Sequence, residues 1–265
     1  MVASIRKGLL QLVFSGSFMK RWNDKMRPME LVEVDKQAHK MIAAWLLFEL
    51  NSQGMSPEEK SALGEDIVRG GIFDYLYRLV ITDIKPPIFY QIKANPAHYE
   101  KLTAWVLNEL QPRVQPLGKD FWGAMQTHFE RQVRRDESLA SRILDAAHLF
   151  ASRWEFHLIR GLNQWDEEMD EIEENFRQGL EAHLDLVGVR QLLEGPGTRL
   201  GKFAFMCGRL RFQKRWSQTP RIPETSVLGH MFIVACLAYF FSIAVGACPV
   251  RRHNNFYAGL FHDIP

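Results

Sequence analysis

The tripeptide Lys20-Arg21-Trp22 recurs as Lys214-Arg215-Trp216, and the flanks recur with it. Phe18 and Phe212 stand two residues before each copy, and Arg27-Pro28 and Arg221-Ile222-Pro223 follow at equal distance. Further on, the block from His39 to Leu46 resembles that from His230 to Leu237. Gly71-Ile72-Phe73-Asp74-Tyr75 resembles Gly259-Leu260-Phe261-His262-Asp263. The three offsets are 194, 191 and 188, a drift that loop-length changes produce. Three blocks in one order predict two copies of one module, and a repeated unit dictates the architecture before any single motif does. The first copy is expected over 14–163 and the second over 202–265, with an acidic helical connector over 164–201. The residues after Tyr77 in the first copy, Thr82-Asp83-Ile84 included, have no counterpart in the second. The second copy is therefore expected to be partial and the chain shortened.

Helical periodicity sets the class. Lys36 to Leu50, His98 to Leu110, Phe121 to Val133 and Ser138 to Leu162 carry apolar residues at helical spacing, and Ile67 to Ile81 is a further apolar stretch whose end, Val80-Ile81, also suits a strand. Ser56-Pro57-Glu58-Glu59 reads as a cap and first turn, Lys85-Pro86-Pro87 as a stop, and Glu194-Gly195-Pro196-Gly197 as the clearest break. No run of strands with hairpin turns is present, so an all-α bundle is expected. The 265 residues, 46% hydrophobic, exclude a disordered chain. A net charge of +2 gives no pull toward nucleic acid or an acidic membrane surface. Met231 to Ala247 is uncharged and apolar, at the short edge of what a spanning helix needs, and reads as a buried core helix. A membrane-associated protein built on 231–247 is the alternative. Three cysteines, an odd number, argue against a secreted disulfide framework and for a reducing cytoplasm. The acidic run Asp166 to Glu174 lacks the turn glycine of a calcium loop and reads as a solvated helix face.

The densest chemistry lies in the second copy. His230 precedes the apolar helix, and His262-Asp263 closes the next one. Imidazole and carboxylate groups from different helices are what a divalent ion recruits. Glu224-Thr225-Ser226-Val227-Leu228-Gly229-His230, followed by Ala258-Gly259-Leu260-Phe261-His262-Asp263, resembles the HD superfamily of metal-dependent phosphohydrolases. The stretch from Gly208 to Trp216 is similar to the bacterial 5′-deoxynucleotidase branch, in which an Arg-Leu-Lys-like run leads into Arg-Trp shortly before the first metal histidine. The resemblance implies an HD-like helical bundle and a divalent ion (Mn, Co, Fe, Mg or Zn) held by His230, His262 and Asp263, with Asp263 as the catalytic residue. It also implies that Arg215 and Trp216 hold the phosphate and nucleoside of a small, nucleotide-like phosphate ester. Gly229 and Met231 depart from the Glu and Ser usual in that branch.

In the first copy His39 aligns with His230, Asp74 with His262 and Tyr75 with Asp263. His148 falls where a last acidic ligand would stand. His39, Asp74 and His148 are thus the candidates for a rearranged second metal set, but two ligand types have changed, and a decayed copy kept for packing or pairing is the preferred reading. The residues leave three function classes: a metal-dependent phosphohydrolase, a non-catalytic nucleotide-sensing or scaffolding protein that could pair as a homodimer, and a membrane-associated protein. The first is favoured, with no nucleic-acid or membrane partner.

Overall fold

The structure, a computed structural model, describes residues 4–82, 84–134, 136–220 and 222–264. Asp83, Arg221 and Pro265, which figure in the sequence matches, lie outside the described residues. The helices, in chain order, are α1 (Lys7–Ser15), α2 (Glu33–Asn51), α3 (Pro57–Val80), α4 (Pro86–Ala94), α5 (Pro96–Val114), α6 (Lys119–Val133), α7 (Leu139–Arg160), α8 (Glu168–Glu181), α9 (Val189–Glu194), α10 (Arg199–Gly208), α11 (Val227–Ala244) and α12 (Pro249–Phe261). A two-residue antiparallel pair, β1 (Lys20–Arg21) with β2 (Leu31–Val32), joins α1 to α2. The fold is all-α, as the periodicity predicts.

Local sequence explains where the main helices begin. Ser56 and Glu59 form a reciprocal capping box at α3, with Pro57 in the first turn. Ser138, Thr198 and Ser226 accept backbone amides at the starts of α7, α10 and α11. Pro86 opens α4. The Lys85-Pro86-Pro87 stop is therefore also a start, since the fixed φ of proline suits a first helical position. The acidic run is not simply solvated either. Met169 is buried, while Asp166, Asp170 and Glu173 pair with Lys25, Arg160 and Arg153.

One continuous apolar core runs from α1 to α12. α2 lies at its centre, packed on α7, α11, α3 and α10, and is buried on nearly every face. α12 packs on α11 and on α3. α11 is long and apolar enough by composition to span a bilayer, yet 56% of it is buried inside the protein. Leu228, Met231, Phe232, Ala235, Cys236, Tyr239 and Phe240 line that side, and Phe241 and Val245 look outward. α12 rests almost on the α11 backbone at Gly259, where a Cβ would stand 2.8 Å from the Ala235 Cα. That close approach brings His262, one turn later, beside the start of α11.

The same backbone pattern occurs before α2 and before α11. Lys20 bridges Val32, and Lys214 bridges Ser226. Glu33 N–H donates to Met19 O at 2.9 Å, and Val227 N–H donates to Gln213 O at 2.8 Å. Trp22 and Trp216, at φ 53° and 57°, are the non-glycine residues with left-handed backbone among those described. All of these correspond at a spacing of 194 residues. By this register Lys36, not His39, stands where His230 stands, and Asp35 stands where Gly229 stands.

Candidate metal centre

His230 lies in the first turn of α11, its N–H bonded to Ser226 O at 3.1 Å. His262 ends α12, and Asp263 follows it. The two helices meet at these residues. His230 Nε2 lies 3.3 Å from His262 Nε2. Asp263 Oδ2 lies 3.5 Å from His262 Nε2 and 3.9 Å from His230 Nε2. Among the described residues this is the one group of three His, Cys, Asp or Glu side chains whose ligand atoms lie within 4.8 Å of one another.

The chemistry of the three donors fits a divalent ion. Metal–ligand bonds of about 2.1 Å place neighbouring ligand atoms about 3 to 3.4 Å apart, close to the separations found. The His262 Nδ1–H donates to Gly259 O at 2.7 Å. That bond fixes the tautomer and leaves Nε2 with a lone pair turned toward His230, the usual arrangement of a ligating histidine. Partial burial lowers the pKa of His230, with Arg215 and His262 adding to the effect and Asp263 opposing it. A neutral imidazole is the ligating form. The three side chains are 27 to 33% exposed, so the centre is open to solvent.

Residues 207–265 match the HD domain family. The match spans α11, α12 and the segment leading into them, and includes every residue of the centre. It supports the HD superfamily for this segment, and HD domains are typically metal-dependent phosphohydrolases. No curated protein and no solved structure matches the chain.

Arg215 reaches the centre directly, its Nη1 donating to Asp263 Oδ2 at 2.6 Å. The Arg215 side chain is 29% exposed, and a guanidinium has five N–H donors to offer an oxyanion. Trp216 follows, 57% exposed and turned by its left-handed backbone.

The structure does not gather His39, Asp74 and His148 into a ligand set. His39 is fully buried with its Nε2–H on Ala204 O at 2.8 Å, edge-on to Phe150 and Trp154. Burial drives its pKa down to about 3. Asp74 accepts from Lys40 Nζ at 2.6 Å and from His128 and Gln132 at 3.0 Å. Lys36 Nζ donates to His148 Nδ1 at 2.7 Å. The two ammonium groups, 1% and 2% exposed, thus occupy the carboxylate and imidazole that a cation would need. Burial lowers the pKa of Lys36 to about 7, with Glu33 opposing the shift.

Arg21, the counterpart of Arg215, is neutralised internally as well. Its Nε donates to Glu155 and its Nη1 to Glu33, both at 2.7 Å. Trp22 Nε1–H shares the same Glu155 oxygen at 3.0 Å. The other Glu155 oxygen accepts from Arg211 at 2.7 Å. Burial alone would raise the Glu33 carboxyl, but Arg21, Lys36 and Arg78 outweigh it and hold it at about 2. Sequence reasoning places Glu155 on the helical face of His148 but does not single out Lys36, Lys40, Glu33 or Arg211. The available signal is charge early in a largely apolar α2: Glu33, Lys36 and Lys40 share one helical face, and Asp35 lies on another.

Proposed function

We propose that the protein is a metal-dependent phosphohydrolase working at His230, His262 and Asp263, with a nucleotide-like phosphomonoester as substrate. The observation that carries this reading is the convergence of those three side chains with Arg215. His230 and His262 would hold the ion through Nε2 and Asp263 through its carboxylate. When bound, a divalent ion lowers the pKa of a coordinated water and neutralises phosphate charge. Arg215 offers a planar fork of donors to phosphate oxygens, and Trp216 is an aromatic ring close by with the chemistry to stack on a base. Asp263, which now accepts from Arg215, would be free to hold the ion once a phosphate took up that guanidinium. Likeness to the 5′-deoxynucleotidase branch, two copies of one module, and action in the cytoplasm belong to the same proposal. The backbone correspondence at 194 residues supports the two copies. Three free cysteines, two of them buried, accord with a reducing compartment.

The decisive measurement is hydrolysis of nucleoside monophosphates by the metal-stripped protein, then with Mn²⁺ or Co²⁺ restored, in wild type and His230→Ala. Metal-dependent phosphate release that disappears in the variant supports the reading. Phosphate release indifferent to both metal and His230 sinks it. For the first half, Arg21 neutralised by Glu33 and Glu155, and His148 occupied by Lys36, favour a supporting, non-catalytic part.

A further inference from the structure

The start of α11 is held from outside its own half of the chain. Asp35, in the first turn of α2, is 3% exposed and reaches across the α2–α11 contact. Its Oδ1 accepts from the Ser226 hydroxyl at 2.5 Å. Ser226 Oγ in turn accepts the Gly229 N–H at 2.8 Å, and the Asp35 carboxylate also draws on that amide. With its proton committed to Asp35, the hydroxyl presents its lone pairs to Gly229, so the cap has one orientation. Gly229 has no side chain to obstruct this. A Cβ there would stand 2.5 Å from Asp35 Oδ1 and 2.9 Å from Val34 Cγ1. The carboxylate also lies at the positive end of the α11 dipole, where negative charge is favoured. His230 is the next residue, and its N–H makes the first bond of the α11 ladder, to Ser226 O.

We propose that Asp35 is a positioning residue for the metal centre, clamping through Ser226 and Gly229 the helical turn that aims His230. The first half therefore does more than cover a core: it supplies the carboxylate that sets one ligand of the other half. Metal ligands tolerate displacements of only about 0.2 Å, so a loosened first turn is read out as lost affinity. This inference rests on the metal reading of His230, His262 and Asp263.

Co²⁺ titration of the metal-stripped full chain, followed by visible absorbance and paired with thermal melts, tests it. In Asp35→Ala the Co²⁺ affinity falls about 10- to 100-fold, the range for loss of an outer partner of a ligand, and the absorption band shifts. Asp35→Asn, whose amide oxygen still accepts from Ser226, recovers most of the affinity. Ser226→Ala, which removes the link without removing a buried charge, weakens Co²⁺ binding about tenfold on the same grounds. It serves if Asp35→Ala does not fold. Wild-type affinity and spectrum in folded Asp35→Ala or Ser226→Ala overturn the positioning role while leaving the metal site intact. If the wild type takes no Co²⁺ at all, the metal reading itself fails, and this inference with it.

Discussion

Lys36 and His148 face each other across the α2–α7 contact, Nζ 2.7 Å from Nδ1, where α11 has His230 at the corresponding turn. An ammonium that donates to an imidazole lone pair uses the very electrons a metal would take. The chain should therefore carry one tightly held ion rather than two. Elemental analysis of the loaded protein is expected to give one equivalent, reduced to background in His230→Ala and in His262→Ala and unchanged in His148→Ala. A second equivalent that survives His230→Ala would show that the lysines do not fill the other location.

Glu155 accepts from Arg21, Arg211 and Trp22 with no exposed surface. Removing one partner of a buried ionic set leaves uncompensated charge and costs about 3–5 kcal/mol. Glu155→Ala should lose roughly that much stability in urea denaturation. Glu155→Gln, which keeps an acceptor, should lose less. Near-wild-type stability in Glu155→Ala would mean that the two guanidinium groups find water.

Arg215 tests the substrate side of the centre. A hydrogen bond to a charged group contributes about 1.5–3 kcal/mol. Arg215→Gln should thus raise KM for a phosphomonoester about 10- to 100-fold. Metal content should hold, because Arg215 competes for Asp263 rather than helping it ligate. A variant that loses metal and keeps KM reverses this assignment.

Two buried groups pull the pH dependence of stability in opposite directions. His39 titrates near 3 when folded, against 6.5 when free, because burial opposes its charge. Between those values the unfolded chain binds the extra proton, so stability rises with pH. Asp35 titrates near 6, against 3.8, burial again being the cause, with Arg211 and Ser226 opposing it. There the folded chain holds the extra proton, and stability falls as pH rises from 3.8 to 6. Glu33, held at about 2, and His148, held low by burial, add to the rise. Relative to the wild type, stability in Asp35→Asn should therefore climb more steeply with pH between 3.8 and 6, and in His39→Gln less steeply between 3 and 6.5. Chemical denaturation at half-unit pH steps measures both, and parallel profiles in the two variants would contradict the assignment.

Gly259→Ala probes how the helices meet. Its added methyl would collide with the Ala235 backbone, which cannot swing aside as a side chain can. Overpacking of this kind costs about 1–3 kcal/mol. Separation of α12 from α11 should also part His262 from His230, so Co²⁺ affinity is expected to fall along with the melting temperature. Unchanged affinity would show that the two histidines do not depend on this contact.

Much of the fold can be read from local chemistry. The cap and first turn at Ser56 and the apolar stripes of α2, α3, α5, α6 and α7 follow from side-chain spacing alone. The metal candidates could be read because His230, His262 and Asp263 lie in short motifs at helix ends. What the sequence hides is long-range. Lys36 and Lys40 look like solvent-facing charges until α3 and α7 bring Asp74 and His148 to them. The glutamate that neutralises Arg21 is 134 residues away. The pairing of His39 with His230 fails for a related reason. Matching residue types favours histidine against histidine, whereas the bridges at Lys20 and Lys214 fix a register three residues different.

The space beside Gly229 is already filled by Asp35, so positions 194 residues apart share a single volume. A side chain at one excludes a carboxylate at the other. Gly229 cannot gain a side chain alone: an acidic residue at 229 demands a small one at 35. That dependence runs one way: residue 35 can shrink while Gly229 stays, but the helix that carries His230 can gain a side chain at 229 only where a neighbouring helix has given up the room.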